Sequence, residues 1–230
     1  MSNAAAVQNH EDEDSEREQP QIQKDKTTRT QIAPPKFRTA EFMIRGTAPY
    51  VSNKFSQEAR EMMQAKQEEG SQSQKKKGPR KAKDFDKCAA GSAHKLADGS
   101  YGIPATSFRQ ACVSACRIVG FKMTLAKLAL FVLADGVDAD DGSPLVKIEG
   151  TPKRVDSLVR NETGVADIRP RMHWDEWTAI LRIKYDADLF KAEDVRNLLE
   201  RVGVQVGIGA GRPDSKSSCG QGWGTFEIVV

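Results

Sequence analysis

No stretch of this 230-residue chain approaches the ~20 consecutive apolar residues that a bilayer-spanning helix requires, which excludes an integral helical membrane protein. Cysteine is scarce. Four residues, none in a Cys-x-x-Cys pair, make no disulfide framework and read as reduced thiols of a cytosolic protein. The N-terminal segment MSNAAAVQNHEDEDSEREQ has neither a basic nor an apolar stretch, so no secretory signal is expected. Aromatic residues are few, at nine Phe, three Tyr and three Trp. No K/R-G-F-G-F-V-x-F string occurs, which removes an ordinary RNA-recognition motif that stacks bases on its sheet. The net charge is only +3, from 35 Lys+Arg against 32 Asp+Glu, so the sum alone announces no polyanionic partner.

The distribution of charge says more. Residues 1–36 carry seven acids and five bases, with six of the acids between Glu11 and Glu18 and almost nothing apolar. Such a segment cannot offset the entropy of ordering its backbone, and a disordered acidic tail is expected. Removing its charge of −2 from the total of +3 leaves +5 for the remainder. A second polar stretch, 64–86, has KKKGPRKAK at its centre, with six cations between Lys75 and Lys83. It reads as a flexible basic insertion, opposite in sign to the tail. Residues 37–230 are expected to form one domain.

Within that domain the apolar periods mark elements. Ala40 to Val51 reads as a strand broken at Gly46 and Pro49, and Ser52 to Gln67 has helical character. Phe108, Ala111, Cys112, Ala115, Cys116 and Val119 form one continuous stripe of a helix over 107–119, capped by Thr106 or Ser107 and stopped by Gly120. LALFVLA, 128–134, is a strand-length apolar run, DADDG at 138–142 a turn, and 145–148 a further short strand. Val165–His173 and Trp177–Asp186 alternate with period two, and the tight connection between them predicts a hairpin. Ala192 to Val202 is a second helix with Gly203 at its C′ position, and TFEIVV closes the chain as a buried strand. The predicted class is α+β: a ferredoxin-like, RRM-like βαββαβ antiparallel sheet with two helices on one face and the long basic insertion after the first strand.

The densest functional signal lies between helix and last strand. GVQVGIGAGRPDSKSSCGQGWG holds glycines at 203, 207, 209, 211, 220, 222 and 224, with Arg212, Lys216 and three serines among them. Glycine permits φ > 0 and close approach of backbone to a ligand. Successive N–H groups in such a loop can cradle phosphate oxygens, and Arg212 and Lys216 add charge-assisted bonds. No helix follows the glycines and no GxxxxGK[ST] is present, so neither a dinucleotide fingerprint nor a P-loop applies. A flexible connector is the plainer alternative.

The run GIGAGRPDSKSSCGQGWGTFEI, placed between a helix and a closing strand, resembles the glycine-rich loop of the repeat-associated mysterious protein (RAMP) superfamily of CRISPR ribonucleoproteins. In that superfamily the loop contacts the RNA backbone, and the resemblance assigns this role to Gly207, Gly209, Gly211, Arg212, Gly222 and Gly224. The pieces YGIPATSFRQACVSAC and VGIGAGRPDSKSSCGQGWGTFEI are similar to an uncharacterised family of bacteriophage-encoded proteins. This likeness spans 40–230, carries no established activity, and implies phage origin and a place in the host cytoplasm.

Two further basic features accompany the loop. The predicted hairpin would bring Arg169, Arg171 and His173 beside Arg182 and Lys184 in one cationic sheet face, with Asp167 and Asp186 partly neutralising it. In the polybasic insertion, Lys75, Lys76, Lys77, Arg80 and Lys81 would strengthen and salt-sensitise binding to any polyanion. Catalysis has weaker footing: of three histidines, His10 lies in the tail, leaving His94 and His173 as candidate general bases for metal-independent RNA cleavage, which some RAMP proteins perform. Cys112 and Cys116 sit on an apolar stripe and read as core rather than metal ligands. Asp138, Asp140 and Asp141 start like a calcium loop but lack its later spacing. No cofactor or metal is expected. The sequence points to a non-catalytic protein that grips the backbone of RNA or single-stranded DNA and oligomerises along it, with no membrane partner. An endoribonuclease and a structural assembly protein are the alternatives.

Overall fold

The computed structural model describes residues 33–68, 82, 84–160, 166–215 and 220–229. The chain divides after Pro34, and every element below belongs to the unit that begins at Pro35. In chain order the strands are β1 (Phe37–Gly46), β2 (Tyr50–Val51), β3 (His94–Lys95), β4 (Tyr101–Pro104), β5 (Leu130–Leu133), β6 (Gly136–Val137), β7 (Pro144–Glu149), β8 (Pro152–Arg160), β9 (Ala166–Trp174), β10 (Thr178–Asp186) and β11 (Phe226–Val229). The helices are α1 (Gln57–Glu68), α2 (Phe85–Ala90), α3 (Ala105–Cys116), α4 (Met123–Ala129) and α5 (Ala192–Arg201).

The protein is α+β, with an eight-stranded, antiparallel main sheet rather than four strands alone. Its path runs β11-β1-β10-β7-β4-β3, with β5 also paired to β10 and β6 to β7. β1 and β10 pair along their length from Phe37↔Asp186 to Arg45↔Thr178. Alternation decides what each side of this ribbon does. Ala179, Leu181, Ile183 and Tyr185 of β10 point inward and are buried, beside Ile44 of β1. Burying Leu181 or Ile183 is worth about 2–3 kcal/mol each. α3 and α5 contact one another and cover this inner face.

α3 forms on the expected stripe: Phe108, Ala111, Cys112, Ala115 and Cys116 are buried. It starts two or three residues earlier than its polar residues suggest, with Pro104 at the N-cap position, and Val119 lies past its end, exposed. In α5, Val195, Leu198 and Leu199 are buried, and the Asp194 carboxylate accepts from the Lys191 N–H at 2.8 Å, closing the first turn.

Three expectations are corrected. The 165–186 hairpin does not form: β9 pairs with β2 and β8 in a separate three-stranded sheet, and β10 pairs with β1, β5 and β7. The chain turns between them at Trp174 and Trp177, both buried, which send the two strands to different sheets. The 128–134 run is not one strand, because its first residues complete α4, whose Ala126 and Ala129 are buried three residues apart, before β5 begins. Gly203 does not end α5. The helix widens into a turn over Val202–Val206, closed by the Gly207 N–H donating to the Val202 carbonyl at 2.8 Å.

Five of the seven glycines between 203 and 224 answer to packing. A Cβ at Gly203 would overlap the Phe226 carbonyl, at Gly209 it would lie 2.6 Å from the Val51 oxygen, and at Gly224 it would overlap the Ile208 carbonyl, with φ +68° besides. Gly142 also has positive φ, +69°, but open space around it. Gly224→Ala is therefore expected to cost ~2–4 kcal/mol, and Gly142→Ala only ~1 kcal/mol of backbone strain. Urea midpoints of the two variants measure the contrast, and equal midpoints would remove the packing role.

Candidate nucleic-acid interface

The glycine-rich segment lies against the small sheet, and most of its described amides are engaged. Ile208 N–H donates to the Gly224 carbonyl (3.0 Å), Ala210 N–H to Val51 (3.0 Å), Asp214 N–H to Val206 (3.1 Å), Trp223 N–H to Gly211 (3.3 Å) and Gly224 N–H to Pro49 (2.8 Å). The amides of Gly209, Gly211 and Arg212 have no partner among the described residues. Arg212 folds back on its own loop, Nη1 donating to the Gly209 carbonyl at 3.1 Å. Asp214 ties the loop to α3, accepting from the Ser114 hydroxyl and from Arg117 Nη2, the latter at 3.0 Å. Gly222 has open space around it. Lys216, Lys75, Lys76, Lys77, Arg80 and Lys81 lie outside the described residues.

One contact joins the loop to the cations of β9. The Trp223 ring packs over Gly211 and meets the His173 ring edge-on, centroids 5.2 Å apart. Along β9, Asp167, Arg169, Arg171 and His173 share one face, and the register adds Lys153 of β8, opposite His173. On that face Arg169 pairs with Asp167 at 3.4 Å and Lys153 pairs with Asp175. Arg171 is partly buried and has no hydrogen-bond or ion-pair partner among the described residues. Burial first, then the neighbouring Arg169 charge, pull its pKa below the ordinary value. A guanidinium does not escape this by losing its proton at neutral pH, so the site carries a poorly solvated positive charge that an anion would relieve.

Arg182 and Lys184 are elsewhere, on the outer face of the main sheet, where they belong to a different surface. Arg182 is bound to Asp135, and Lys184 lies 4.8 Å over the Phe37 ring. Arg45 pairs with Glu227 and Lys147 with Glu149, around exposed Met43 and Ile180. This face is charge-balanced and not the cationic surface expected of it.

A separate polar cluster surrounds His94. Lys54 and Asp138 are enclosed, with side chains 3% and 0% exposed. The ammonium Nζ lies 2.6 Å from an oxygen of Asp138 and 2.6 Å from one of Asp140. His94 Nδ1 sits 2.7 Å from the other Asp138 oxygen. His94, Asp138 and Asp141 place ligand atoms within 4.8 Å of each other, but Asp138 is already paired with the Lys54 ammonium and Asp141 with Arg60 Nη1 at 3.4 Å. Desolvation pushes the Asp138 carboxyl up, yet the bonds from Lys54, the Asp140 N–H and His94 outweigh it and hold the pKa at about 2. The group joins the segment after β2, strand β3 and the turn before β7, residues 84 positions apart in the case of Lys54 and Asp138, a pairing that no local pattern announces. Burial raises the Cys112 thiol to about 12, consistent with a packing role. No protein-family model and no curated protein sequence matches the chain.

The Asp138 carboxyl titrates near 2 when folded and near 3.8 when free. Its contribution to stability is therefore complete above the higher value and lost as pH falls through the lower. Lys54→Met, which strands the buried carboxylate, is expected to cost about 3–5 kcal/mol at neutral pH. It is also expected to flatten the decline in stability between about pH 4 and pH 2. Denaturation midpoints across that range check both effects.

Proposed function

We propose that this protein binds the sugar-phosphate backbone of RNA or single-stranded DNA, with Arg171 at the centre of the interface. The observation that carries the reading is that this partly buried guanidinium has no acid partner among the described residues, whereas Arg169, Lys153, Arg182 and Arg45 each have one. Phosphate oxygens would supply the missing acceptor, and guanidinium matches their geometry. The uncommitted amides of Gly209, Gly211 and Arg212 lie on the loop whose Trp223 touches His173, so the same strand can meet both. Contacts of this kind position a backbone without reading bases.

The antiparallel order β11-β1-β10-β5, with α3 and α5 on one face, supports a ferredoxin-like core carrying additional strands. On this reading the loop is of RAMP type, the protein is phage-encoded and acts in the host cytoplasm, and copies assemble along the strand. Among the described residues no helix is long and apolar enough to cross a membrane. Cleavage is the second reading, favoured by one observation: a buried carboxylate orients His94 as it would a general base. The ion pair with Lys54 gives Asp138 a structural reason of its own, so we hold the protein to be non-catalytic.

Anisotropy of labelled homopolymeric RNA and DNA strands tests the binding. Affinity is expected to fall steeply between about 50 and 200 mM salt. Arg171→Ala is expected to weaken binding by about 10-fold or more, and Arg182→Ala to leave it within about twofold. Equal loss from both variants would move the interface to the main sheet. The same RNA, incubated with chelator present, should stay intact; products that vanish in His94→Ala would establish cleavage.

A further inference from the structure

We infer that His173 is a proton-linked member of the Arg171 site: a bound phosphodiester draws a proton onto its imidazole, so that affinity rises as pH falls. This rests on the backbone-binding reading and specifies how the ligand is held. His173 is two residues from Arg171 on the same strand face. It is almost wholly buried, and its Nε2 has no hydrogen-bond partner among the described residues. An enclosed imidazole nitrogen with no partner is costly to leave so, and here it adjoins Arg171, which has no acid partner among the described residues.

Among the described residues, the charged groups facing His173 are few. Arg171 and Asp175 come from its own segment and Lys153 from β8. β2 offers Val51 opposite it, and the loop offers the uncharged Trp223 ring. Without ligand the balance favours the neutral ring. Burial lowers its pKa first, Asp175 raises it, and Lys153 and Arg171 lower it further. A phosphate seated on Arg171 reverses the last of these effects and adds a negative charge beside the ring, favouring the imidazolium. Binding then takes up a proton over the range between the free and bound pKa values. The free protein behaves oppositely. Its folded His173 titrates below the unfolded value, so stability is complete above that value and declines as pH falls through it.

The test is anisotropy of a labelled oligo-uridine strand on the full chain at constant ionic strength. From about pH 7.5 to about pH 5.5 the affinity of the wild type is expected to rise about threefold or more. His173→Gln is expected to show no such rise across the same range, whatever its affinity at the upper pH. Because a buried substitution can unfold the small sheet, the His173 ring-proton shift is also followed by NMR in the unmodified protein. Its midpoint is expected to move up when the strand is added. Binding with the same pH profile in wild type and variant, or an unmoved midpoint in the saturated complex, overturns the proton linkage and leaves backbone binding standing. Absence of binding at every pH in low salt overturns both.

Discussion

The arrangement depends on one close approach: backbone lying on backbone where the Gly203–Gly224 segment meets β2, β11 and its own return. Side chains would hold these strands of chain apart, and a Cβ at Gly203, Gly209 or Gly224 would meet a carbonyl directly. The approach lets Pro49, Val51 and Ile208 exchange hydrogen bonds with the loop. It sets Trp223 on His173 and so fixes the loop beside β9. Most of the glycine-rich chain is spent on this docking. What remains is narrow: the amides of Gly209, Gly211 and Arg212, which have no partner among the described residues.

Electrostatics then separates two surfaces that resemble each other in composition. On the outer face of the main sheet Arg45, Lys147 and Arg182 are each paired with an acid around Met43 and Ile180. Exposed pairs of this kind add little to stability, and their summed field is small. On the β9 face the mismatch, among the described residues, is that Asp167 and Asp175 serve Arg169 and Lys153. Arg171 is left with burial and a like charge for neighbours. A cation so placed is a liability in the free protein and an asset only with an anion present.

Much of the core was legible because it repeats. The α3 stripe, the inner face of β10, the apolar side of α5 and the closing strand all follow a helical or strand period. β8 was not legible. Its charged, exposed residues alternate with nothing, as befits an edge strand. Partner choice was lost as well: the period of 165–173 identifies a strand, but whether β9 joins β10 depends on where Trp174 and Trp177 are buried. The glycines are the sharpest case. A cradle for a ligand and a seam within the fold need the same absence of Cβ, so composition alone points equally to both. Arg171 could be named from sequence, but its lack of a partner is a property of the folded chain.

The most direct test of the account is where a strand touches the protein. Photo-crosslinking of 4-thiouridine-substituted RNA to the full chain, with peptides mapped by mass spectrometry, reads this without mutation. The account predicts crosslinks within Ala166–Trp174 and around Trp223. Crosslinks confined to the outer faces of Phe37–Gly46 and Thr178–Asp186 would contradict it.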